Sequence, residues 1–483
     1  MKRLMMVVVA MFASLMVALT YVQFFAADNL RADARNARGI YNSYGKNRGP
    51  IVVADAPIAS SKAVGDNGKT LYQRVYTAND GLYTTATGYY SVTLASTGLE
   101  KQMNSQLLGE APSQLSSRLR QLVTGKASAG GGIELTLDPD IQKAAFDGLA
   151  GRRGAAVAIE PRTGAILALV SSPSYDPNPL ANNDTAAAQK AYDALNADPN
   201  KPLDNRAYGG HLYSPGSTFK IVTAAAMLTS GDYDTDTVVN GQADLPLPGS
   251  TATLPNYNRG ACGDGKPTLK YAFTMSCNTP FAQAAMDMGE EPLQQMAQAF
   301  GFNTSQTIPL TVTTSRYPTE DMQPAQLAMT AIGQYDVQAT PLQMAMVAQT
   351  VANDGVQMQP YLVAEELDEN LNTTRVTRAR ELGTPISSDV AAKLTDMMVS
   401  VAQNGDGAYA AIPGVQVAAK TGTAEVGDTG ISNGWFVAFA PADDPVIAIA
   451  VVVEGGQNGV DSANGGANAG PIAKAMIQAA VAQ

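Results

Sequence analysis

Histidine occurs once, at His211, and cysteine twice, at Cys262 and Cys277. A zinc site built from several imidazoles or thiolates is therefore excluded, any metal would rest on carboxylates alone, and neither a metal nor another cofactor is expected. Positive charge is also in short supply, with 32 Lys and Arg against 43 Asp and Glu and a formal net charge of -11. No basic field is available to hold a polyphosphate backbone, so nucleic acid is not an expected partner. Tandem repeats and low-complexity tracts are missing. What is present is a globular composition, 45% hydrophobic and 16% charged, punctuated by 44 Gly and 27 Pro. Short elements joined by many turns follow from it. The 483 residues exceed what one core usually organises, so two or three domains are expected.

One apolar run stands out. After Met1-Lys2-Arg3 the chain is apolar from Leu4 to Val22, enough to span a bilayer as a single helix. A cleaved signal peptide is the competing reading. Its apolar core is normally shorter, and Phe25 ahead of Ala26-Ala27 spoils the small-x-small cleavage pattern. A retained anchor over residues 4–25 is expected, with residues 1–3 on the cytoplasmic side. Lys2 and Arg3 favour that orientation, while Arg31, Arg35 and Arg38 count against it. With the N-terminus inside, the rest of the chain lies outside the cytoplasm. A disulfide between Cys262 and Cys277 is chemically permitted there, and two buried free thiols are the alternative.

Asp28 to Tyr44 is polar and leads through Asn47-Arg48-Gly49-Pro50 into Ile51-Val52-Val53, a linker entering a strand. Leu71 to Tyr76 reads as a second strand and Ser113 to Val123 as a helix, giving a small α+β module over residues 26–134. Gly130-Gly131-Gly132 marks a break. Asp138-Pro139-Asp140 then opens a helix in a second domain, residues 135–483. Gly154 to Ile159 and Ala165 to Val170 read as a hairpin, and their lack of polar alternation predicts cover on both faces. Three more strands are expected at Gln416 to Val426, Gly434 to Ala440 and Pro445 to Glu454. Helices are expected at 219–228, 292–300, 324–332 and 341–353, with a last one from Pro471. Strands at both ends of a domain with helices between predict an α/β (α+β) fold. Its sheet is mostly antiparallel, five-stranded and covered by helices on both faces.

Tyr213-Ser214-Pro215-Gly216-Ser217 places turn formers ahead of a strongly apolar helix, with Ser217 at its N-terminal end. Unpaired N–H groups and the helix dipole favour negative charge there, as an attacking alkoxide or an oxyanion requires. Lys220 shares a helix face with Ser217, and its neighbours Phe219, Ile221, Val222 and Ala224 are apolar nearly all round. Burial lowers a lysine pKa, and a neutral amine beside a serine hydroxyl is a general base. A serine cap followed by a snorkelling lysine suits many helices equally well. Two further motifs shift the balance. Ser276-Cys277-Asn278 follows an apolar helical stretch, and Lys420-Thr421-Gly422-Thr423 ends an expected strand.

Ser-x-x-Lys, Ser-x-Asn and Lys-Thr-Gly in that chain order form the signature of penicillin-binding proteins and serine β-lactamases. The chain resembles class B penicillin-binding proteins over nearly its whole length. Asn205-Arg206-Ala207, Gly333-Gln334, Thr340-Pro341-Leu342-Gln343-Met344 and Gly434-Trp435-Phe436 look like further landmarks of that family, and Arg48-Gly49-Pro50-Ile51 like the opening of its N-terminal module. The resemblance implies a peptidoglycan D,D-transpeptidase. Ser217 would attack the penultimate D-alanine carbonyl of a stem peptide ending in D-Ala-D-Ala, with Lys220 taking its proton. Ser276 would relay a proton to the leaving D-alanine, and Asn278 would hold Lys220 and the substrate amide. Lys420, Thr421 and Thr423 would bind the terminal carboxylate. Gly422 would let substrate lie along the strand, and the N–H groups of Ser217 and Thr423 would form the oxyanion hole. β-Lactams would acylate the same serine. Cys277 stands where the lactamase pattern has Asp, which favours a structural role, and a bridge to Cys262 would brace the Ser276 loop.

Other readings share these motifs. A D,D-carboxypeptidase differs mainly in accepting water. A β-lactamase needs a base for deacylation, yet Glu290 and Glu291, the nearest glutamates after Asn278, lack a Glu-x-x-Leu-Asn context. A non-enzymatic scaffold or β-lactam sensor would leave the motifs idle, and only three residues precede the span to hold a sensor's effector. A Ser-His-Asp triad would have to use His211, which reads better as a loop residue, and Trp435 reads as a packed strand residue. The class A glycosyltransferase domain has no counterpart here. Glycan polymerisation would fall to a polytopic membrane glycosyltransferase partner, alongside other cell-wall synthesis proteins.

Overall fold

In a computed structural model the described residues are 2–22, 45–66, 69–78, 80–114, 129–427, 429–456 and 463–482. The expected linker from Asp28 to Tyr44 lies outside them. So does most of the helix expected at Ser113 to Val123, of which only a 3₁₀ turn, Pro112–Gln114, is described. Lys2–Thr20 forms one helix with no buried side chain, long and apolar enough to cross a membrane.

The five expected strands of the larger domain pair into one antiparallel sheet. Its order is Ala418–Glu425, Ser432–Ala440, Ile447–Val453, Gly154–Ile159, Ile166–Ser172. The two early strands meet the three late ones at the centre, so the ends of the domain close the sheet. Every residue of the three middle strands is buried, because helices cover both faces. On one face Pro139–Leu149 and Gly470–Val481 pack Ile141, Leu149, Ile472 and Met476 against Phe436, Ile449 and Val451. Asp138 caps the first of these by accepting from the N–H groups of Asp140 and Ile141, with Pro139 in the first turn. On the other face lie Lys220–Ser230, Pro341–Ala352 and Ser388–Asn404, whose apolar sides share a core with Trp435, Val437, Phe439 and Val452.

A second, six-stranded sheet has the order Thr373–Val376, Val363–Leu367, Ile133–Leu135, Ile51–Val53, Ala56–Asp66, Lys69–Tyr76. Ile133–Leu135 runs parallel to Ile51–Val53 and antiparallel to Val363–Leu367. The division expected between residues 134 and 135 thus falls inside a strand, and the N-terminal module takes two strands from far along the chain. Such non-local pairing leaves no periodic trace in the sequence.

Charge buried in this module fixes its geometry. Glu100, fully buried, binds Arg48 Nε at 2.6 Å and Arg74 Nε at 2.5 Å. Tyr76 donates its hydroxyl to the same carboxylate at 3.2 Å, and the Arg48 guanidinium lies 4.4 Å from the centroid of the Tyr90 ring. Burial alone would raise the Glu100 carboxyl, but the two guanidiniums outweigh it and hold it below its usual range. The cluster ties the residues before the first strand to the hairpin and to the helix Gly98–Gln102. Glu100→Ala strands two buried cations, and is expected to cost about 3–5 kcal/mol. Urea unfolding of the purified chain checks this, and an unchanged midpoint would show that the cluster does not hold the module together.

Candidate active site

Ser217 sits in a 3₁₀ turn, Gly216–Phe219, that runs straight into the helix Lys220–Ser230. Residues 220–228 of this largely apolar helix are all buried, Lys220 included. Three contacts hold the turn in front of it. Gly216 donates its N–H to Gly333 O at 2.9 Å, Tyr213 exchanges two backbone hydrogen bonds with Ala339, and Trp435 Nε1 donates to Ser214 O at 3.1 Å. Tyr213 and Trp435 also meet edge to face. Gly333 has a φ of +72°, and a Cβ there would come within 2.2 Å of Gly216 O. The expected landmarks at Gly333 and Trp435 therefore act on the backbone of the serine turn.

Ser276 joins two lysines that come from different elements. Its carbonyl accepts from Lys220 Nζ at 2.8 Å, and its hydroxyl accepts from Lys420 Nζ at 2.8 Å. Its φ of +55° is uncommon for a residue with a Cβ and turns the carbonyl and the hydroxyl toward the two amines. Asn278 Oδ1 accepts the second bond from Lys220, also at 2.8 Å, while its Nδ2 donates to Pro255 O. Cys277 is disulfide-bonded to Cys262, with a Cα–Cα distance of 6.0 Å. The Ser217 hydroxyl is half-buried and has no hydrogen-bond partner among the described residues.

Lys420, Thr421, Gly422 and Thr423 lie in the edge strand Ala418–Glu425. Lys420 is fully buried and also donates to Thr421 O at 3.0 Å. A Cβ on Gly422 would sit 3.1 Å from both Pro215 O and Thr218 N, so this glycine makes room for the serine turn itself.

Burial, and second the positive charge of Lys420, hold the Lys220 amine well below the usual lysine range. Burial also lowers Lys420, to about 7, with the Asp406 carboxylate pulling the other way. A neutral Lys220 has two N–H bonds and one lone pair. Ser276 O and Asn278 Oδ1 take both N–H bonds, which leaves the lone pair to receive a proton.

Asn256 carries the Ser276 loop, yet it is not legible as a site residue in the sequence. Its side-chain oxygen accepts from the N–H groups of Asn278 at 2.8 Å and Thr279 at 3.1 Å, and its amide donates to Gln242 O and Gly260 O. Pro255-Asn256-Tyr257-Asn258 reads only as a turn, and its folded partners lie some twenty residues on. His211 pairs with Asp204 at 3.0 Å and stacks on Tyr213, with no bond to Ser217 among the described residues. No group of three or more His, Cys, Asp or Glu among the described residues is placed to hold a metal ion.

A serine at the head of a buried helix, with a buried lysine of lowered pKa one turn on, is the arrangement of a lysine-assisted active-serine acyltransferase. Residues 154–478 match the family described as penicillin binding protein transpeptidase domain, and residues 48–133 match the penicillin binding protein A dimerisation domain. The chain is 43% identical to the peptidoglycan D,D-transpeptidase PbpA of Mycolicibacterium smegmatis, over 99% of this chain and 98% of that protein. A ceftriaxone acyl-enzyme complex of penicillin-binding protein A from M. tuberculosis superimposes with a TM-score of 0.85 at 41% identity, covering 91% of this chain and 99% of that one. Pseudomonas aeruginosa PBP2 gives 0.74 at 28% identity, covering 90% and 95%. The chain belongs to the penicillin-binding protein transpeptidase family.

Two glycine substitutions separate backbone strain from crowding. Gly231 (φ +81°) has nothing within 4 Å of an added Cβ, whereas Gly333 meets the carbonyl of Gly216. Gly231→Ala is expected to cost about 1–2 kcal/mol from the left-handed conformation alone. Gly333→Ala should cost more, and melting temperatures of the two variants check the order.

Proposed function

We propose that this chain is a membrane-anchored peptidoglycan D,D-transpeptidase that cross-links stem peptides through an acyl-enzyme on Ser217 and is acylated there by β-lactams. The lone pair left on Lys220, after Ser276 O and Asn278 Oδ1 have taken its N–H bonds, carries this reading. Ser217 Oγ attacks the carbonyl carbon of the penultimate D-alanine while Lys220 takes its proton. The oxyanion is received by the N–H groups of Ser217 and Thr423. Collapse of this intermediate breaks the peptide bond, and a proton passes from Lys220 through the Ser276 hydroxyl to the leaving D-alanine nitrogen. An acceptor amine then attacks the ester carbonyl and loses a proton to Lys220 by the same route; the new amide forms as the bond to Ser217 Oγ breaks, and Lys220 returns that proton to the departing Oγ. Lys420 as a cation, with the hydroxyls of Thr421 and Thr423, binds the terminal carboxylate.

Lys2 and Arg3 support an N-terminus in the cytoplasm and a catalytic domain on the far side. We assign residues 26–134 to a pedestal that spaces the catalytic domain, residues 135–483, from the membrane. Glycan strands would come from a polytopic membrane glycosyltransferase partner.

Full-length protein in detergent, incubated with a fluorescent penicillin and read by intact mass, should give a one-to-one adduct lasting many minutes. Ser217→Ala should give none. Rapid adduct loss with drug turnover would point to a β-lactamase, and absence of an adduct from folded wild-type protein would sink the acyl-enzyme reading.

The pH dependence has a defined sign. Acylation needs Lys220 neutral and Lys420 charged, so kcat/KM for a carboxylate-bearing substrate rises as Lys220 loses its proton and falls above about pH 7 as Lys420 loses its own. Arginine stays protonated throughout this range. Lys420→Arg should be slower but lack the alkaline fall, and a fall that persists would assign it to another group.

A further inference from the structure

A cleft of about 360 Å³ opens at the seam between residues 84–98 and residues 171–208, and no residue of the three motifs lines it. Four tyrosines form its walls, Tyr89, Tyr175, Tyr192 and Tyr208, and the remaining lining is rich in threonine and serine hydroxyls with Asp204 and Asn205. No lysine or arginine faces it, so nothing there would bind a phosphate or a carboxylate. Little of the wall is aliphatic, which disfavours a lipid chain. Aromatic faces interleaved with hydroxyl and amide groups suit a neutral ligand that is apolar on its ring faces and hydroxylated around its edge.

The walls are held rigidly from both sides. Thr84 Oγ1 donates to Tyr175 O, Tyr208 OH donates to Thr85 O at 3.2 Å, and Ser171 N donates to Thr85 Oγ1 at 2.9 Å. Tyr89 meets Tyr175 edge to face with centroids 6.4 Å apart. Tyr89 is buried as a residue, but its hydroxyl, which bonds to no described residue, keeps contact with solvent. A hydroxyl so placed is free to donate to, or accept from, a ligand that enters the cleft.

We infer that this cleft is a saccharide subsite that takes a mono- or disaccharide unit of an N-acetylated glycan, clamped between the N-terminal module and the catalytic domain. Naming the peptidoglycan glycan strand as its source rests on the transpeptidase reading; the sugar chemistry of the cleft does not. Bound there, the glycan would be fixed to both parts of the molecule while its stem peptide reaches Ser217. Asn205 connects the two places, because its side-chain oxygen accepts from the N–H groups of Ala207 at 2.9 Å and Tyr208 at 3.1 Å, in the segment that leads to the serine turn.

Full-length protein in detergent, titrated with N,N′-diacetylchitobiose and followed by calorimetry, tests the inference, with cellobiose as the unacetylated control. Saturable binding of the chitobiose is expected, weaker binding of cellobiose, and no change after Ser217 is acylated by penicillin. Tyr192→Ala should weaken binding about tenfold through loss of a ring face, and the near-isosteric Tyr89→Phe about threefold through loss of a hydroxyl. Melting temperatures report whether each variant is folded. The inference is overturned by absence of saturable binding, by loss of binding on acylation, by equal affinity for cellobiose, or by unchanged affinity in folded Tyr89→Phe. Should penicillin leave Ser217 unmodified, the transpeptidase reading fails, and titration of the unmodified protein still decides the cleft.

Discussion

Ser276 is the point on which the site depends. Two lysines, each fully buried, approach it from different elements, one at its carbonyl and one at its hydroxyl. Two ammonium ions this close in a dry interior repel, so burial and the neighbouring charge together favour a state in which one of them is neutral. Burial lowers both amines; the charge of Lys420 adds to the lowering of Lys220, whereas the Asp406 carboxylate opposes that of Lys420. In the proposed mechanism one amine serves as the base and the other as the cation. These opposed roles come from position, since the side chains are chemically identical.

Such an arrangement holds only if the Ser276 loop cannot yield, and three devices fix it. The Cys262–Cys277 bond ties the loop to the preceding segment, Asn256 accepts from two successive N–H groups, and Asn278 is anchored to Pro255 O while it binds Lys220. The left-handed backbone at Ser276 is a local cost that this scaffold offsets. On the opposite side, Gly422 and Gly333 let the serine turn press against the Lys420 strand and the Gly333 loop without an intervening Cβ. The two halves of the site are thus brought together by a loop locked in place and by side chains left out.

Much of this is legible in the sequence, and the rest is hidden for identifiable reasons. Gly154 to Ile159 and Ile447 to Val453 declare themselves as strands because fully buried strands carry unbroken apolar runs. The three motifs mark their elements because each joins polar residues to an apolar stretch of clear period. The pairing of Val363–Leu367 with Ile133–Leu135 cannot be read, since partners more than two hundred residues apart leave no local pattern. Nor can Asn256, whose role depends on which loop it faces. The serine turn is read as the start of an α-helix, but its first turn is 3₁₀, a distinction that rests on packing against Gly422 more than on propensity.

The scarcity of histidine and the apolar helix behind Ser217 are two aspects of one constraint. A histidine base is near neutrality without help, so it tolerates a wet and varied setting. A lysine is protonated at neutral pH unless its surroundings withhold solvation from the cation. The residues after Ser217 must then be apolar on every side, and Ile221, Val222, Ala224, Ala225, Met227 and Leu228 are all buried. Dry surroundings alone would leave the amine's own N–H bonds unsatisfied, so the Ser276 carbonyl and the Asn278 amide oxygen have to reach it from another segment. A chain that uses a lysine as its base must therefore carry a buried helix and a second, rigid loop, which is why the first two motifs have to occur together.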